Sequence, residues 1–396
     1  MLEEQGMTTD AVLKQLQSLL EPDASYASGR PVASMSTAPL GLGVDVFSRT
    51  IEKNAGRFHT FPGSAEAERE VIEMVGDLFH LEQPLGTTTS GGTESNILAM
   101  LVCREMAAKK TGTPEIIAPE TVHASVDKAA WILGVKLVKT RVDSQFKAVP
   151  SAVERAVNRN TVGIFATAGT TYLGQIDPID EIAGIASHHS IPLHVDAAFG
   201  GFVIPFLNDL GLGHHMFDFQ IEGVTSISVD PHKMGLAPIP SGCILFRSEK
   251  HLESITRKVP YLRGQSAVQH TLLGTRPAGS ILAAWAVMKQ MGRKGYRDLV
   301  SLCMKRTLMV ENRVEANRML RLAIEPVMNI VGIECKELSL EHVTDKMEKR
   351  GWRMATSPLP PSIRIVVMPH ITEGTVNAFF NDLDDISATI PTDGQF

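Results

Sequence analysis

Four short stretches of this 396-residue chain set reactive side chains among small ones. In "SVDPHKMG" (Ser228 to Gly235), His232 and Lys233 follow a run of β-branched and apolar residues, at the point where a buried strand should end. An amine held there with lowered basicity is a nucleophile for a carbonyl carbon, whereas a lysine taken singly more often reaches into solvent. "HVDAAFGG" (His194 to Gly201) ends a second apolar run on Asp196. Its carboxylate suits a cationic ring nitrogen, a metal ion or a helix cap, and Ala197 and Ala198 are small enough for a flat ligand to lie against the backbone. "TTTSGGTESN" (Thr87 to Asn96) leads small residues into the apolar helix "ILAMLVCREMAAKK"; the free N–H groups and dipole of such a helix start favour an anion. The lysine of GxxxxGK[ST] is missing, which argues against a nucleotide loop. In "APETVHASVDKAA", His123 and Ser125 follow the run "EIIAP", where an imidazole can stack on a planar heterocycle or complete a local hydrogen-bond network.

Each stretch alone reads more simply as a capped turn or a structural polar residue. One ligand accounts for three of them together: pyridoxal 5′-phosphate (PLP) offers an aldehyde for Lys233, a pyridinium nitrogen for Asp196 and a phosphate for Ser90 to Thr93.

These residues need a scaffold that brings them to one edge. The runs "EIIAP", "VKLVKTRV", "TVGIFAT", "IPLHVDAAF", "VTSISVD" and "GCILFR" alternate with helical patterns such as "SAVERAVNR" and "IDEIAGIASHH". That order predicts βα units around a mostly parallel sheet, an α/β fold whose ligands bind at the carboxyl ends of the strands. Upstream, "AVLKQLQSLL" spaces Val12, Leu13, Leu16, Leu19 and Leu20 as one face of a helix, followed by an extended Pro/Ser/Ala/Gly segment. A helix begins near Ser64, with Ser64 as its N-cap. Ser280 to Met291 reads as a connecting helix, and a second unit follows: the helix "LVSLCMKRTLMVENRVEANRML", strands at "MNIVGIEC" and "SIRIVVM", the helix "LEHVTDKMEKRG" between them and a last helix after Thr372. The expected divisions are an N-terminal helix and extended segment (1–60), a large ligand-binding domain (61–280) and a small α+β domain (281–396).

Composition narrows the classes. A formal charge of −6 with 21% charged residues does not indicate a nucleic-acid partner. Cys103, Cys243, Cys303 and Cys335 form no CxxC, so neither zinc knuckle nor disulfide framework is indicated. The adjacent pairs His188/His189 and His214/His215 diverge on any regular element and read as exposed positions rather than metal ligands. With no apolar stretch of membrane-spanning length, the expectation is a soluble cytoplasmic protein.

The ordered set "TSGGTESN", "HASVDKA", "HVDAAFGG", "SVDPHKMG" and "LLGTRPAG" (Leu272 to Gly279) resembles the group II PLP-dependent amino-acid decarboxylases of fold type I, above all their archaeal L-tyrosine/L-aspartate branch. The resemblance implies an aspartate-aminotransferase-like large domain with a smaller C-terminal domain. It implies that Lys233 is the imine-forming lysine, Asp196 the partner of the pyridine nitrogen and His123 the imidazole stacked on the ring. Ser90, Gly91, Gly92 and Thr93 would hold the phosphate, helped by Ser228 and His232. Thr170, in "TAGTTYLG", would approach the phenolic oxygen or ring edge and Ala198 the other ring face. Thr275, in "GTR", would reach the partner subunit's phosphate, implying a homodimer with shared sites. Arg364 matches the arginine that binds substrate carboxylate, and Tyr261 the tyrosine that returns a proton to the α-carbon, a task for which His232 and Lys233 also qualify.

The implied reaction is loss of CO₂ from an L-amino acid: tyrosine to tyramine, which would supply methanofuran, with aspartate to β-alanine, which would supply coenzyme A, as the second activity. Rival readings keep PLP but change the reaction (glutamate decarboxylase, sphingosine phosphate lyase, tRNA-dependent cysteine synthesis), drop catalysis for a PLP-free regulatory protein, or make His194, Asp196, Asp230 and His232 a hydrolytic metal site.

Overall fold

Apolar runs rich in Val, Ile and Phe fold as the strands of a central sheet, and the amphipathic segments between them cover its faces. The computed structural model describes residues 2–107 and 112–388. Strands β1 (Gly86–Thr89), β2 (Glu115–Pro119), β3 (Lys136–Thr140), β4 (Thr161–Thr167), β5 (Leu193–Asp196), β6 (Val224–Val229) and β7 (Gly242–Phe246) pair in the order β1-β7-β6-β5-β4-β2-β3. β7 runs against both of its neighbours and every other pair is parallel. β2, β4, β5 and β7 are buried along their whole length, which is why their sequences read as continuous apolar runs rather than alternating ones. The carboxyl ends of β1, β2, β4, β5 and β6 therefore share one edge of the sheet.

The helices are α1 (Thr9–Leu20), α2 (Gly41–Arg49), α3 (Pro62–Leu78), α4 (Gly92–Met106), α5 (Ala124–Leu133), α6 (Pro150–Ala156), α7 (Ile179–His188), α8 (Ile204–Asp209), α9 (Glu249–Ile255), α10 (Ala278–Ala316), α11 (Leu340–Lys349) and α12 (Glu373–Ala388). A two-stranded hairpin, β8 (Arg257–Lys258) with β9 (Val268–Gln269), precedes α10. Beyond α10, β10 (Leu320–Leu322), β11 (Ile330–Cys335), β12 (Thr356–Pro358) and β13 (Pro361–Val366) make an antiparallel sheet in the order β10-β11-β13-β12. Its core includes Trp352, Phe379 and Phe380. The first half of α10 packs on α2 and α3, and its second half reaches β10 and β11. The bend between the halves is at Gly292, with φ +54° and ψ 179°, a conformation that essentially only glycine adopts. Among the described residues no helix is long and apolar enough to cross a membrane.

Three local expectations change. Ser64 is no cap: α3 starts at Pro62, whose fixed φ suits a first helical position, and Ser64 is buried within the helix. The N-terminal division, expected to hold one helix and an extended segment, contains a second helix, α2, in which two glycines mask the signal. The Thr87–Thr89 stretch, read as a turn, is most of β1, held only against β7. The apolar face expected for α1 exists, but no residue of that helix is buried.

β1 is also pinned from the side. Arg276 donates to both carboxylate oxygens of Glu68 (3.0 and 3.2 Å) and to the carbonyl and hydroxyl of Thr88 (3.0 and 2.9 Å), while Glu68 accepts from the Thr88 N–H at 2.9 Å. Burial alone would raise the Glu68 carboxyl, but the Arg276 charge and the bonds from Arg276 and Thr88 outweigh it and hold it below its ordinary value. The ion pair is thus fully stabilising above the usual carboxylate range and is lost as pH falls through the lower folded value. Replacing Arg276 with Met leaves a buried, uncompensated carboxylate and should cost about 3–5 kcal/mol near neutral pH. Burial is then opposed by the Thr88 bonds but no longer by the Arg276 charge, so the carboxyl takes up a proton more readily and the deficit should shrink on acidification. Urea midpoints of the two proteins at pH 7.5 and 4.5 measure both effects.

Candidate active site

A cavity of about 350 Å³ lies where the strand ends meet, with one end formed by the β1–α4 turn. Gly91, at φ +148°, leaves so little room that a Cβ there would stand 2.9 Å from His232 Cε1, and one on Gly92 would stand 3.1 Å from Ala198 Cβ. Glu94, one turn into α4, reaches back to accept from the Ser90 N–H at 2.7 Å and fixes the entry. The first backbone bond of the helix start runs from Ser95 N to Gly91 O at 3.1 Å. The N–H groups of Gly92 and Thr93 precede it and have no intrahelical acceptor. With Thr93 lining the same cavity, this end suits a phosphate.

Asp196 closes β5 and is only 5% exposed. Its Oδ2 accepts from Asn96 Nδ2 at 2.8 Å; its Oδ1 accepts from the Ala198 N–H at 3.0 Å and from the Ser228 hydroxyl at 3.3 Å. It makes no ion pair within 4.0 Å among the described residues. Burial pushes its carboxyl up, but the Lys233 charge and the bonds from Asn96 and Ala198 prevail and keep it below the ordinary value. The site therefore holds a buried carboxylate without a counter-ion.

Asn96 is the hub behind it. Because its Nδ2 donates to Asp196, its Oδ1 must accept, and His194 Nε2 donates to it at 3.0 Å. His194 Nδ1 then accepts from the Ser226 hydroxyl at 2.9 Å. Burial lowers His194 to about 4, so the ring stays neutral at pH 7. The second Nδ2 hydrogen goes to Ser125 Oγ at 2.8 Å, and that hydroxyl donates to His123 Nδ1 at 2.8 Å. His123 Nδ1 also caps α5 by accepting from the Ser125 N–H at 3.1 Å. One amide thus orients the carboxylate and, through Ser125, the imidazole, whose basicity burial lowers.

Lys233 lies in the turn after β6, where its Nζ meets Asp230 Oδ2 at 3.0 Å. His232 Nδ1 accepts from the Ser241 N–H at 3.1 Å, leaving the ring proton on Nε2, 3.6 Å from Asp230 Oδ2. Lys233, His232, Asp230, His123, Asp196, Ala198 and Ser90 to Thr93 all line the one cavity.

Other expected residues lie elsewhere. Thr170 is buried, with its hydroxyl accepting from the Gln175 N–H at 3.0 Å, and it is Thr171 that lines the cavity. Ser228 is fully buried behind Asp196 rather than beside the anion end. Arg364 donates to the carbonyls of Thr171 (2.9 Å) and Ala33 (3.0 Å), and its buried Nε has no acceptor. Tyr261, 80% exposed between β8 and β9, and the exposed Thr275 do not line this chain's own cavity. Both nitrogens of His194 are engaged with Asn96 and Ser226, so it does not join Asp196, Asp230 and His232 as a metal ligand. Sequence reasoning missed Asn96, although a lone amide entering an apolar helix must be hydrogen-bonded once buried.

The cavity fits PLP: an anion-binding helix start, an amine able to meet an aldehyde, and a buried carboxylate lacking a cation line the same space. Asn96→Ala removes donors from Asp196 and Ser125 and strands His194 Nε2. At about 1–3 kcal/mol for such losses, it should weaken PLP retention roughly tenfold, measured by equilibrium dialysis on protein whose circular dichroism matches the unaltered chain.

Known proteins resemble the chain along almost its whole length. The family model of the pyridoxal-dependent decarboxylase conserved domain matches residues 4–336. A "probable L-tyrosine/L-aspartate decarboxylase" of Methanothermobacter thermautotrophicus is 42% identical over 91% of this chain and 98% of its own length. An L-aspartate decarboxylase of Thermococcus kodakarensis is 40% identical over 98% of this chain and 99% of its own. Among solved structures, a sphingosine-1-phosphate lyase of Burkholderia pseudomallei superposes with a TM-score of 0.88 at 27% identity, covering 98% of this chain and 92% of that one.

Proposed function

This chain belongs to the pyridoxal-dependent decarboxylase family, and we propose that within it the protein removes the α-carboxyl group of L-aspartate, giving β-alanine and CO₂. The reading rests on one observation above the others: Asp196 is a buried carboxylate with donors but no counter-ion, which is the environment a pyridinium nitrogen completes. PLP, the family's cofactor, supplies an electron sink for the pair left behind when CO₂ departs.

The chain's own residues supply the rest. Lys233, whose amine lines the cavity, would hold the cofactor covalently through its aldehyde. Gly92 and Thr93 hold the phosphate through the α4 start. Asp196, oriented by Asn96, keeps a proton on the ring nitrogen, an electrostatic contribution that is already in place before reaction. His123 and Ala198 bound the two ring faces, and Thr171 replaces Thr170 as the threonine at the ring edge. Arg364 has carbonyl partners and no carboxylate, so a substrate carboxylate is its natural occupant. His232 and Lys233 stand within the cavity as candidates to return the proton to Cα. Tyr261 and Thr275 are exposed on their own chain and suit a role across a homodimer interface, to which the unburied apolar face of α1 would contribute.

Aspartate is preferred to tyrosine because it stands in the names of both relatives, whereas tyrosine stands in one. A β-carboxylate also needs a cation where a phenol needs an apolar slot, so the two substrates separate cleanly. The test is amine and CO₂ release from PLP-loaded protein offered L-aspartate, L-tyrosine and L-glutamate separately. The expected product is β-alanine; tyramine alone would overturn the substrate, and no CO₂ from any of the three would favour a phosphate-lyase reaction over decarboxylation. Lys233→Ala should retain no covalent cofactor and lose turnover altogether, as read by absorbance after gel filtration and by the same assay.

A further inference from the structure

The carboxylate of Asp230 has no place in the roles above, yet it stands at the anion end of the cavity. Its side chain is 2% exposed, and its Oδ1 is buried with no hydrogen-bond partner. A Cβ built on Gly92, the first residue of α4, would lie 3.2 Å from Asp230 Oδ2 and 3.7 Å from Oδ1. The carboxylate therefore abuts the same helix start that would receive the cofactor's phosphate. Two anions cannot share that position unless charge is removed from one of them.

Without cofactor, Lys233 balances Asp230 across 3.0 Å. With the Lys233 amine bonded to the cofactor's aldehyde carbon, its nitrogen would carry at most one of the ammonium's three protons, and the free cation that balances Asp230 would be consumed. His232 cannot take over as an imidazolium, because its Nδ1 accepts from the Ser241 N–H and a second ring proton would point at that donor. Burial also lowers its basicity. The remaining titratable groups around Asp230 are His123, the cap of α5, and Cys243 from β7; Asp196 from β5 lines the cavity farther round, and Glu94 from α4 stands outside its lining, bonded to the Ser90 N–H. None of them supplies a cation at neutral pH. Among the described residues, the vacant proton site beside the proposed phosphate position is Oδ1 of Asp230 itself.

We propose that Asp230 couples cofactor loading to proton uptake: the phosphate binds together with one proton, carried on Asp230 Oδ1, and the resulting O–H donates to a phosphate oxygen. The proton comes from solvent, and no bond other than that O–H is made in the step. The inference rests on the phosphate placement proposed above. A fixed amide at this position would do the same work with no dependence on pH.

The experiment is calorimetric titration of the cofactor-stripped full chain with PLP, in buffers of differing ionisation enthalpy, between pH 7 and 9. The unaltered protein should take up one proton more than Asp230→Asn. Its affinity should fall about tenfold per pH unit more steeply than that of the variant, one linked proton being tenfold per unit. Pyridoxal, which lacks the phosphate, should abolish the difference. Equal proton counts with PLP would overturn the proposal. If pyridoxal binds as tightly as PLP, the phosphate placement itself is wrong and the proposal falls with it. Should Asp230→Asn not fold, infrared difference spectra of the unaltered protein decide: a carboxylic-acid carbonyl band must appear on loading, and its absence overturns the proposal.

Discussion

A buried carboxylate without a counter-ion is the constraint on which the site depends. Removing Asp196 from water without a paired charge costs several kcal/mol unless donors replace the lost solvent. The chain supplies three: the Asn96 amide, the Ala198 N–H and the Ser228 hydroxyl. Each demands something of its own element. Asn96 must enter α4 one turn from its start, Ala198 must follow a strand that ends at Asp196, and Ser228 must lie opposite it on β6. The Lys233 charge and these donors leave the carboxylate ionised with no cation of its own within ion-pair distance among the described residues, which makes a protonated ring nitrogen welcome there.

The fold converts that local demand into a shared geometry. Parallel strands deliver their carboxyl ends to one edge, so Ser90, His123, Thr167, Asp196 and Asp230, far apart in sequence, face one space. The buried Glu68–Arg276 pair fixes β1, and with it the turn that starts α4. Arg364 extends the arrangement to the second sheet: from β13 it reaches Thr171, in the connection between β4 and α7, and Ala33 in the N-terminal segment. One guanidinium therefore joins three parts of the chain, one of which, Thr171, lines the cavity.

Much of this was legible in the sequence. The strands of the large sheet announced themselves as apolar runs because both faces are covered, and "EIIAP", "TVGIFAT" and "GCILFR" match β2, β4 and β7 almost to the residue. β1 was hidden because three threonines between Gly86 and Ser90 carry strand propensity without an apolar signal, and α2 because Gly41 and Gly43 dilute a short amphipathic pattern. At the site, residue types that carry chemistry were visible as types: Lys233, Asp196 and His123 stood out because little else explains them together. What periodicity could not supply was side-chain direction. Thr170 and Thr171 differ by one position, and a turn closed by Gln175 sends the first inward and the second to the cavity. Ser228 looked like a neighbour of Lys233, but strand alternation points it back towards Asp196. Asn96 and Asp230 act through partners some hundred and some few residues away, and only folding shows which.

Whether Asp196 holds a proton on the cofactor's ring nitrogen can be read by nitrogen NMR. The ring nitrogen of bound PLP would be ¹⁵N-labelled and its shift followed with pH in the unaltered protein and in Asp196→Asn. A nitrogen that stays protonated across neutral pH in the first and loses its proton in the second is the predicted result. An unprotonated nitrogen in the unaltered protein, or one indifferent to the substitution, would contradict it.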